Sequence, residues 1–288
     1  MDTRNEVREF LTTRRARITP EQVGLPQFGG RRRVQGLRRE EVALLAGVSI
    51  DYYTRLERGN LGGVSDSVLE AIARALLLDD AEQRHLFNLA RTANTGTRQR
   101  PTAKPSAAVR PSLQRMLDAM EFAPAYVRNG RLDILAANAM ARAVFLHIFE
   151  DPARPLNLAR YQFLDPRART FFDDWERRAT DAVALLRAEA GRDPFDKGLT
   201  DLVGELSTRS EEFRVRWAMH NVREHRAGSK QFHHPDVGLL EFDYELLELP
   251  GTSNLSVLVY TAPADAPTMD ALRLLASLHA PAVTGVDH

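Results

Sequence analysis

Residues 42–56 read VALLAGVSIDYYTRL, and this stretch decides the fold of the first part of the chain. Its apolar residues recur at helical spacing on both sides of Gly47, a residue type that often takes the left-handed conformation just after a helix. Ser49 follows as a typical N-cap for a second helix. Ala43 supplies the small side chain that two closely crossing helices need. The stretch therefore predicts two helices that meet at a tight turn.

A pair of helices in this arrangement is a helix-turn-helix, which the pattern places at residues 37–59. The residues spaced to pack inward are Val42, Ala46, Val48, Tyr53 and Leu56. The opposite face of the second helix is then exposed, and in this motif that face enters the major groove of DNA. On it lie Ser49, Ile50, Asp51, Tyr52 and Arg55.

The side chains on this face suit particular base edges. Arg55 fits the paired acceptors of a guanine, and Ile50 or Tyr52 fits a thymine methyl group. Asp51 has two interpretations, because it either accepts from a cytosine amine or only orients Arg55.

Arginines that precede the second helix fit phosphate contacts. Arg38 and Arg39 stand at the start of the first helix of the pair, where backbone N–H groups favour phosphate. Two cations there oppose the helix dipole, so stability alone explains their placement poorly. Arg31, Arg32 and Arg33 form a run in a glycine-flanked loop that also suits phosphates. Glu57 is expected to pair with Arg14 or Arg15 of the first helix.

The totals describe an ordinary globular chain with an uneven charge. Its 288 residues are 43% hydrophobic and 27% charged, and the formal net charge is +0. Residues 1–110 carry 19 Lys and Arg against 13 Asp and Glu, so the front half is basic and the rest is acidic. A basic front half favours a polyanion partner, although solvated surface would look the same.

Several classes of protein are excluded by what the sequence lacks. There are 0 cysteines, which excludes disulfides, thiolate metal sites and a cysteine nucleophile. No apolar run reaches the roughly 20 residues of a membrane span, and no signal peptide is recognised. We therefore expect a cytoplasmic protein with no membrane partner.

The second half of the chain alternates strands and helices. Strand signals surround an Asn129-Gly130 turn, at 125–127 and 131–135, and return at 239–249 and 255–261. Helices are predicted between them, including a long one over 166–190. This order predicts an α+β domain with an antiparallel sheet behind an all-α N-terminal domain.

The motif GLRREEVALLAGVSIDYYTRLERG at 36–59 resembles the DNA-binding domain of XRE (lambda-repressor-like) regulators. Later segments, among them PAYVRNGRLDILAANAMARAVF and GSKQFHHPDVGLLEFDYELL, are similar to the branch with an MmyB-like C-terminal domain. A stretch rich in Thr, Gly, Pro, Arg and Lys, with almost no large apolar side chain, predicts a linker at 93–111 after a helix-turn-helix domain at 1–92. The resemblance implies a PAS-like ligand-binding domain at 112–280. It also implies a small apolar, fatty-acid-like ligand.

A PAS-like sheet can enclose a cavity, and two groups of residues are candidates for its lining. The aromatic candidates are Phe145, Phe163, Trp175, Phe213, Trp217, Phe232, Phe242, Tyr244 and Tyr260. The polar candidates for a ligand head are Tyr126, Asn138, Arg160, His220 and His234. The alternative is that the aromatic residues only fill a core, and that Asn138 is a turn or cap residue.

Neither a metal site nor an enzyme is supported by the motifs. His233 and His234 are neighbours that would point to opposite faces of a strand, and no cofactor motif is present. The sequence predicts a homodimeric regulator, since one short recognition helix reads few base pairs of its double-stranded operator. The alternative is a DNA-binding regulator whose C-terminal domain is a ligand-free dimerisation or protein-interaction module.

Overall fold

A computed structural model describes residues 3–25, 36–95, 109–219, 227–249, 254–264 and 266–278. The chain divides into two compact units. The first unit comprises Met1–Thr102 and Val183–Glu224, and the second comprises Ala103–Ala182 and His225–His288. This division differs from the predicted boundaries, because residues 183–224 were expected to belong to the C-terminal domain.

The first unit begins with five helices: α1 (Thr3–Arg17), α2 (Arg39–Leu45), α3 (Ile50–Glu57), α4 (Asp66–Ala75) and α5 (Asp80–Thr95). A short 3-10 helix, Pro20–Val23, follows α1. At the start of α5, Asp79 Oδ1 accepts from the backbone N–H of Glu82 at 2.8 Å, and the backbone N–H of Asp79 donates to Glu82 Oε2 at 3.2 Å. These two reciprocal hydrogen bonds form a capping box that satisfies backbone groups at the start of the helix.

The turn between α2 and α3 forms as its residues predict. Gly47 has φ 66, the left-handed conformation that favours glycine. Ser49 Oγ accepts from the backbone N–H of Tyr52 at 3.1 Å and caps α3. Val42, Tyr53 and Leu56 are fully buried in the core of the first unit. The predicted helix-turn-helix geometry is therefore present.

The first unit also holds helices from later in the chain. These are the second half of α11 (Trp175–Arg192), together with α12 (Lys197–Arg209) and α13 (Glu211–Ala218). Arg187 of α11 is fully buried, and its Nη1 donates to Glu6 Oε1 of α1 at 2.6 Å. Sequence patterns missed this grouping because they carry no signal for a contact between residues so far apart.

The second unit is built on a five-stranded antiparallel sheet in the order β2-β1-β5-β4-β3. The strands are β1 (Ala125–Arg128), β2 (Ile134–Ala137), β3 (Ala227–His234), β4 (Gly238–Glu248) and β5 (Ser256–Thr261). Its helices are α6 (Pro111–Asp118), α7 (Ala139–Val144), α8 (Leu146–Phe149), α9 (Leu158–Leu164), α10 (Ala168–Phe171), the first half of α11 and α14 (Pro267–Leu278).

Each face of this sheet carries its own core. On one face Leu113 and Leu117 of α6 pack against Val127 and Val257. On the other face the sheet packs against α7, α9, α10, the start of α11 and α14, in a cluster rich in aromatic side chains. We call this second cluster the aromatic core.

Several elements differ from the prediction, and the strand expected at 131–135 is β2 at Ile134–Ala137. The long helix expected over 166–190 is broken between α10 and α11, because Phe172 takes an extended conformation and forms a β-bridge with Phe232. Strand β3 was not predicted, since Gly, Ser, Lys and Gln are weak strand formers. None of the helices in the described ranges is long and apolar enough to cross a membrane.

Candidate DNA-binding surface and ligand site

The exposed face of α3 presents the side chains that were predicted to read DNA. Ile50 is 52% exposed, and Ser49, Asp51 and Arg55 are also exposed. The Arg55 guanidinium lies 4.9 Å from the centroid of the Tyr52 ring, which holds it against the helix. No ion pair joins Asp51 to Arg55 in the described structure, so Tyr52 rather than Asp51 orients this arginine.

The buried carboxylate of Glu57 anchors α3 to the rest of the first unit. Arg15 of α1 donates to it from Nε at 3.2 Å and from Nη2 at 3.0 Å. Arg39 donates from Nε at 3.2 Å and from Nη2 at 3.3 Å, and Thr12 Oγ1 donates at 3.0 Å. Burial acts to raise the pKa of Glu57, but the hydrogen bonds from the two arginines outweigh it and lower that pKa. The expected pairing with Arg15 is present.

This network corrects the argument made for Arg39. Its guanidinium is half exposed and binds Glu57, so its position does have a reason in stability. Arg38 caps α2, its backbone N–H donating to Glu41 Oε2 at 2.6 Å, while its side chain is half exposed beside Glu40. The run Arg31, Arg32 and Arg33 lies outside the described residues.

The aromatic core collects most of the predicted ligand residues. Seven of the predicted residues are buried in it: Tyr126, Phe145, Trp175, Phe232, Phe242, Tyr244 and Tyr260. Phe163 packs at its edge. Phe232 has its ring centroid 5.4 Å from that of Phe145 and 5.6 Å from that of Tyr260, distances typical of attractive aromatic pairs. The sheet therefore presents a continuous aromatic surface to its covering helices.

Two polar candidates serve the fold. Asn138 caps α7 and uses all its groups, since Oδ1 accepts from the N–H of Ala141 at 2.8 Å and Nδ2 donates to Ala123 O at 2.8 Å. His234 is buried, with Nε2 3.1 Å from Ala143 O and Nδ1 accepting from the N–H of Asp236. The alternative interpretation of Asn138 as a cap residue is therefore confirmed, and a contact of either side chain with a ligand head stays a prediction.

The remaining candidates lie apart from the aromatic core. Phe213 and Trp217 belong to α13 in the first unit, where their rings stack with centroids 5.5 Å apart. They are therefore not part of the aromatic core, and their role in a ligand site stays a prediction. Arg160 of α9 donates from Nη1 to Pro155 O at 3.4 Å. His220 lies outside the described residues.

Lys230 is a residue of this site that sequence reasoning missed. Its Nζ lies 4.0 Å from the centroid of the Tyr244 ring and 3.4 Å from the hydroxyl of Tyr260. Burial, aided by the nearby cations Arg178 and Arg128, lowers the pKa of Lys230 well below its ordinary value. The alternation of AGSKQFHH was a usable signal, because it puts Lys230 on the same face as the buried Phe232 and His234.

The tyrosine hydroxyls beside Lys230 stay protonated. Burial raises the pKa of Tyr126 and raises that of Tyr260 well above its ordinary range. The two hydroxyl oxygens lie 3.5 Å apart. Since protonated hydroxyls donate hydrogen bonds, the aromatic core holds a group of donors next to the partly buried Lys230.

Known families match the two parts of the chain separately. A helix-turn-helix domain model matches residues 7–86. The model described as the MmyB-like transcription regulator ligand binding domain matches residues 109–275, more than half of the chain. No curated protein matches the chain. Both matched families are regulatory rather than enzymatic, and together they describe a ligand-responsive transcription regulator with a DNA-binding helix-turn-helix. The chain belongs to the MmyB-like transcription regulators.

Proposed function

We propose that this protein is a homodimeric regulator that reads its operator with α3 and senses a small apolar, fatty-acid-like ligand in the aromatic core. The observation that supports an apolar ligand is the continuous aromatic surface around Phe145, Phe232 and Tyr260. Aromatic and aliphatic walls with few polar groups are typical of sites for apolar ligands. A PAS-like arrangement of sheet and covering helices suits this role.

The roles on DNA follow from exposure. Arg55 is assigned to a guanine, and Ile50 to a thymine methyl group, because both project from the start and outer face of α3. Arg38 is assigned to the phosphate backbone, with Arg31–Arg33 as further candidates. Arg39 pairs with Glu57, and only the exposed half of its side chain is available to contact a phosphate.

A homodimer follows from the size of the reading surface. The helix α3 has 8 residues and covers only a few base pairs. Two copies related by a two-fold axis read two half-sites, and the ligand then acts by favouring one spacing of the two reading helices. The new spacing of the two reading helices then either equals the distance between the operator half-sites or differs from it.

A second function is favoured by the close packing of the same rings. Phe171 and Phe232 stack with centroids 5.3 Å apart, and Phe145 meets Phe232 edge to face. Side chains that fill the space between sheet and helices would make the second unit a ligand-free dimerisation or protein-interaction module.

Ligand binding by the purified full chain separates the two functions. An operator is first selected from a random DNA pool, and operator affinity is then measured with and without dodecanoate. A ligand sensor binds dodecanoate, shows it in native mass spectra and changes its operator affinity. A filled module shows no bound dodecanoate and the same operator affinity, with acetate as the control for a carboxylate that lacks an apolar tail.

A further inference from the structure

Lys230 is a partly buried lysine whose amine has no counterion among the described residues. The ammonium makes no ion pair with any residue in the described ranges, and its polar contact is the Tyr260 hydroxyl at 3.4 Å. The charged groups that act on it include two cations, Arg178 and Arg128, and one carboxylate, that of Asp181. A buried charge is costly unless a partner of opposite sign compensates it.

The surroundings of Lys230 hold more donors than acceptors. The ammonium has three N–H donors, and the hydroxyls of Tyr126 and Tyr260 add one each. Within the described structure these three groups make two contacts, at 3.4 Å and 3.5 Å. Both are longer than the usual 2.7–3.0 Å of such bonds, so the donors are not saturated by one another.

The strand register places this group of donors beside apolar side chains of the aromatic core. Gly228 is the partner of Tyr244 across β3 and β4. Because glycine has no side chain that could cover the Tyr244 ring, the ammonium of Lys230 contacts that ring. Phe242 is the direct partner of Lys230, and Phe232 lies two residues further along the same face. A charged head at Lys230 would therefore continue into an apolar tail along these rings.

We propose that Lys230, with the hydroxyls of Tyr260 and Tyr126, binds the carboxylate of an apolar monocarboxylic acid in the second unit. This inference rests on the proposed ligand-sensing function and names the chemistry of the ligand head. A carboxylate brings two acceptor oxygens and one negative charge, which match the unsaturated donors and the uncompensated ammonium. The apolar tail packs against Phe232 and Phe242.

The test compares an acid with its alcohol on the full chain. Binding of dodecanoate and of dodecan-1-ol is measured by native mass spectrometry and calorimetry. The natural protein should prefer the acid by about tenfold or more, as expected for hydrogen bonds to a charged group. Lys230→Met should remove that preference while dodecan-1-ol binds as before, and Tyr260→Phe should weaken dodecanoate about threefold.

Lys197→Met is the matched control, because Lys197 is 86% exposed and pairs with Asp201 at 2.6 Å. It should keep the full preference for the acid. Equal affinity for acid and alcohol in the natural protein, or an acid preference that survives Lys230→Met, would overturn this inference and leave the apolar sensor standing. No binding of either probe would overturn both.

Discussion

Glu57 is a buried charge with counterions, whereas Lys230 is a partly buried charge that has none among the described residues. Glu57 accepts hydrogen bonds from Arg15, Arg39 and Thr12, so its negative charge is compensated by groups of the first unit. Lys230 faces two tyrosine rings and one hydroxyl without an ion pair in the described structure. The difference separates a charge that stabilises the fold from a charge that we propose binds a ligand.

The largest expected effect is a loss of stability on substitution of Glu57, the compensated charge. Glu57→Gln keeps the shape of the side chain but leaves Arg15 and Arg39 facing each other without an anion. The free energy of unfolding should fall by about 3 kcal/mol, measured by chemical denaturation. Glu40→Gln is the control, since Glu40 is 56% exposed and should change stability by less than about 0.5 kcal/mol. Equal effects of the two substitutions would contradict a structural role for Glu57.

Exposed arginines of the same unit should act on DNA and not on stability. Arg55→Ala should weaken operator binding by about 1–3 kcal/mol and lose discrimination at one base position, measured by binding to a set of single-base operator variants. Arg38→Ala should weaken binding to all sequences alike and flatten its salt dependence. An unchanged operator preference in Arg55→Ala would show that α3 reads DNA with other residues.

The compensated charge should also make the first unit sensitive to acid. Because the folded pKa of Glu57 is lowered, its stabilising effect is present above the unfolded pKa of 4.5 and is lost as the pH falls through the folded pKa. The stability difference between the natural protein and Glu57→Gln should therefore shrink by at most about 1.4 kcal/mol per pH unit below that value. A difference that stays constant down to full acid unfolding would contradict the lowered pKa.

The smallest effect is expected at the uncompensated charge. Lys230→Met removes a partly buried ammonium that has no counterion among the described residues and keeps a side chain of similar length, so without ligand the free energy of unfolding should stay the same or rise by up to about 1 kcal/mol. Denaturation of the ligand-free protein measures this. A loss of more than about 2 kcal/mol would mean that the cation–aromatic contacts with Tyr244 and Tyr260 are structural.

Local signals in the sequence predicted the helix pair well. Gly47 and Ser49 fix the turn through their own backbone and side-chain preferences, and these do not depend on distant residues. The exposed face of α3 follows from its periodicity once the helix is placed. The same holds for β4, whose alternating residues predicted its limits to within one residue.

The ligand site was harder to predict because it depends on which elements meet. Phe213 and Trp217 are aromatic like the members of the aromatic core, but they lie in the first unit. Asn138 and His234 are polar and near the core, but backbone groups use them fully. Lys230 was overlooked because lysine is almost always exposed, and only the strand register places it inward.

The ion pair between Glu6 and Arg187 has a consequence for exchanging parts between related regulators. A chimera joined within residues 96–108 would take Glu6 from one parent and Arg187 from another, although both lie in the first unit. The same chimera would take His85 and Gly191 from different parents. His85 Nε2 lies 3.8 Å from Glu6 Oε1, and a hydrogen of Gly191 faces the His85 ring. Sensor exchange therefore requires that residues 183–224 travel with the DNA-binding parent, or that Glu6 and His85 be exchanged to match.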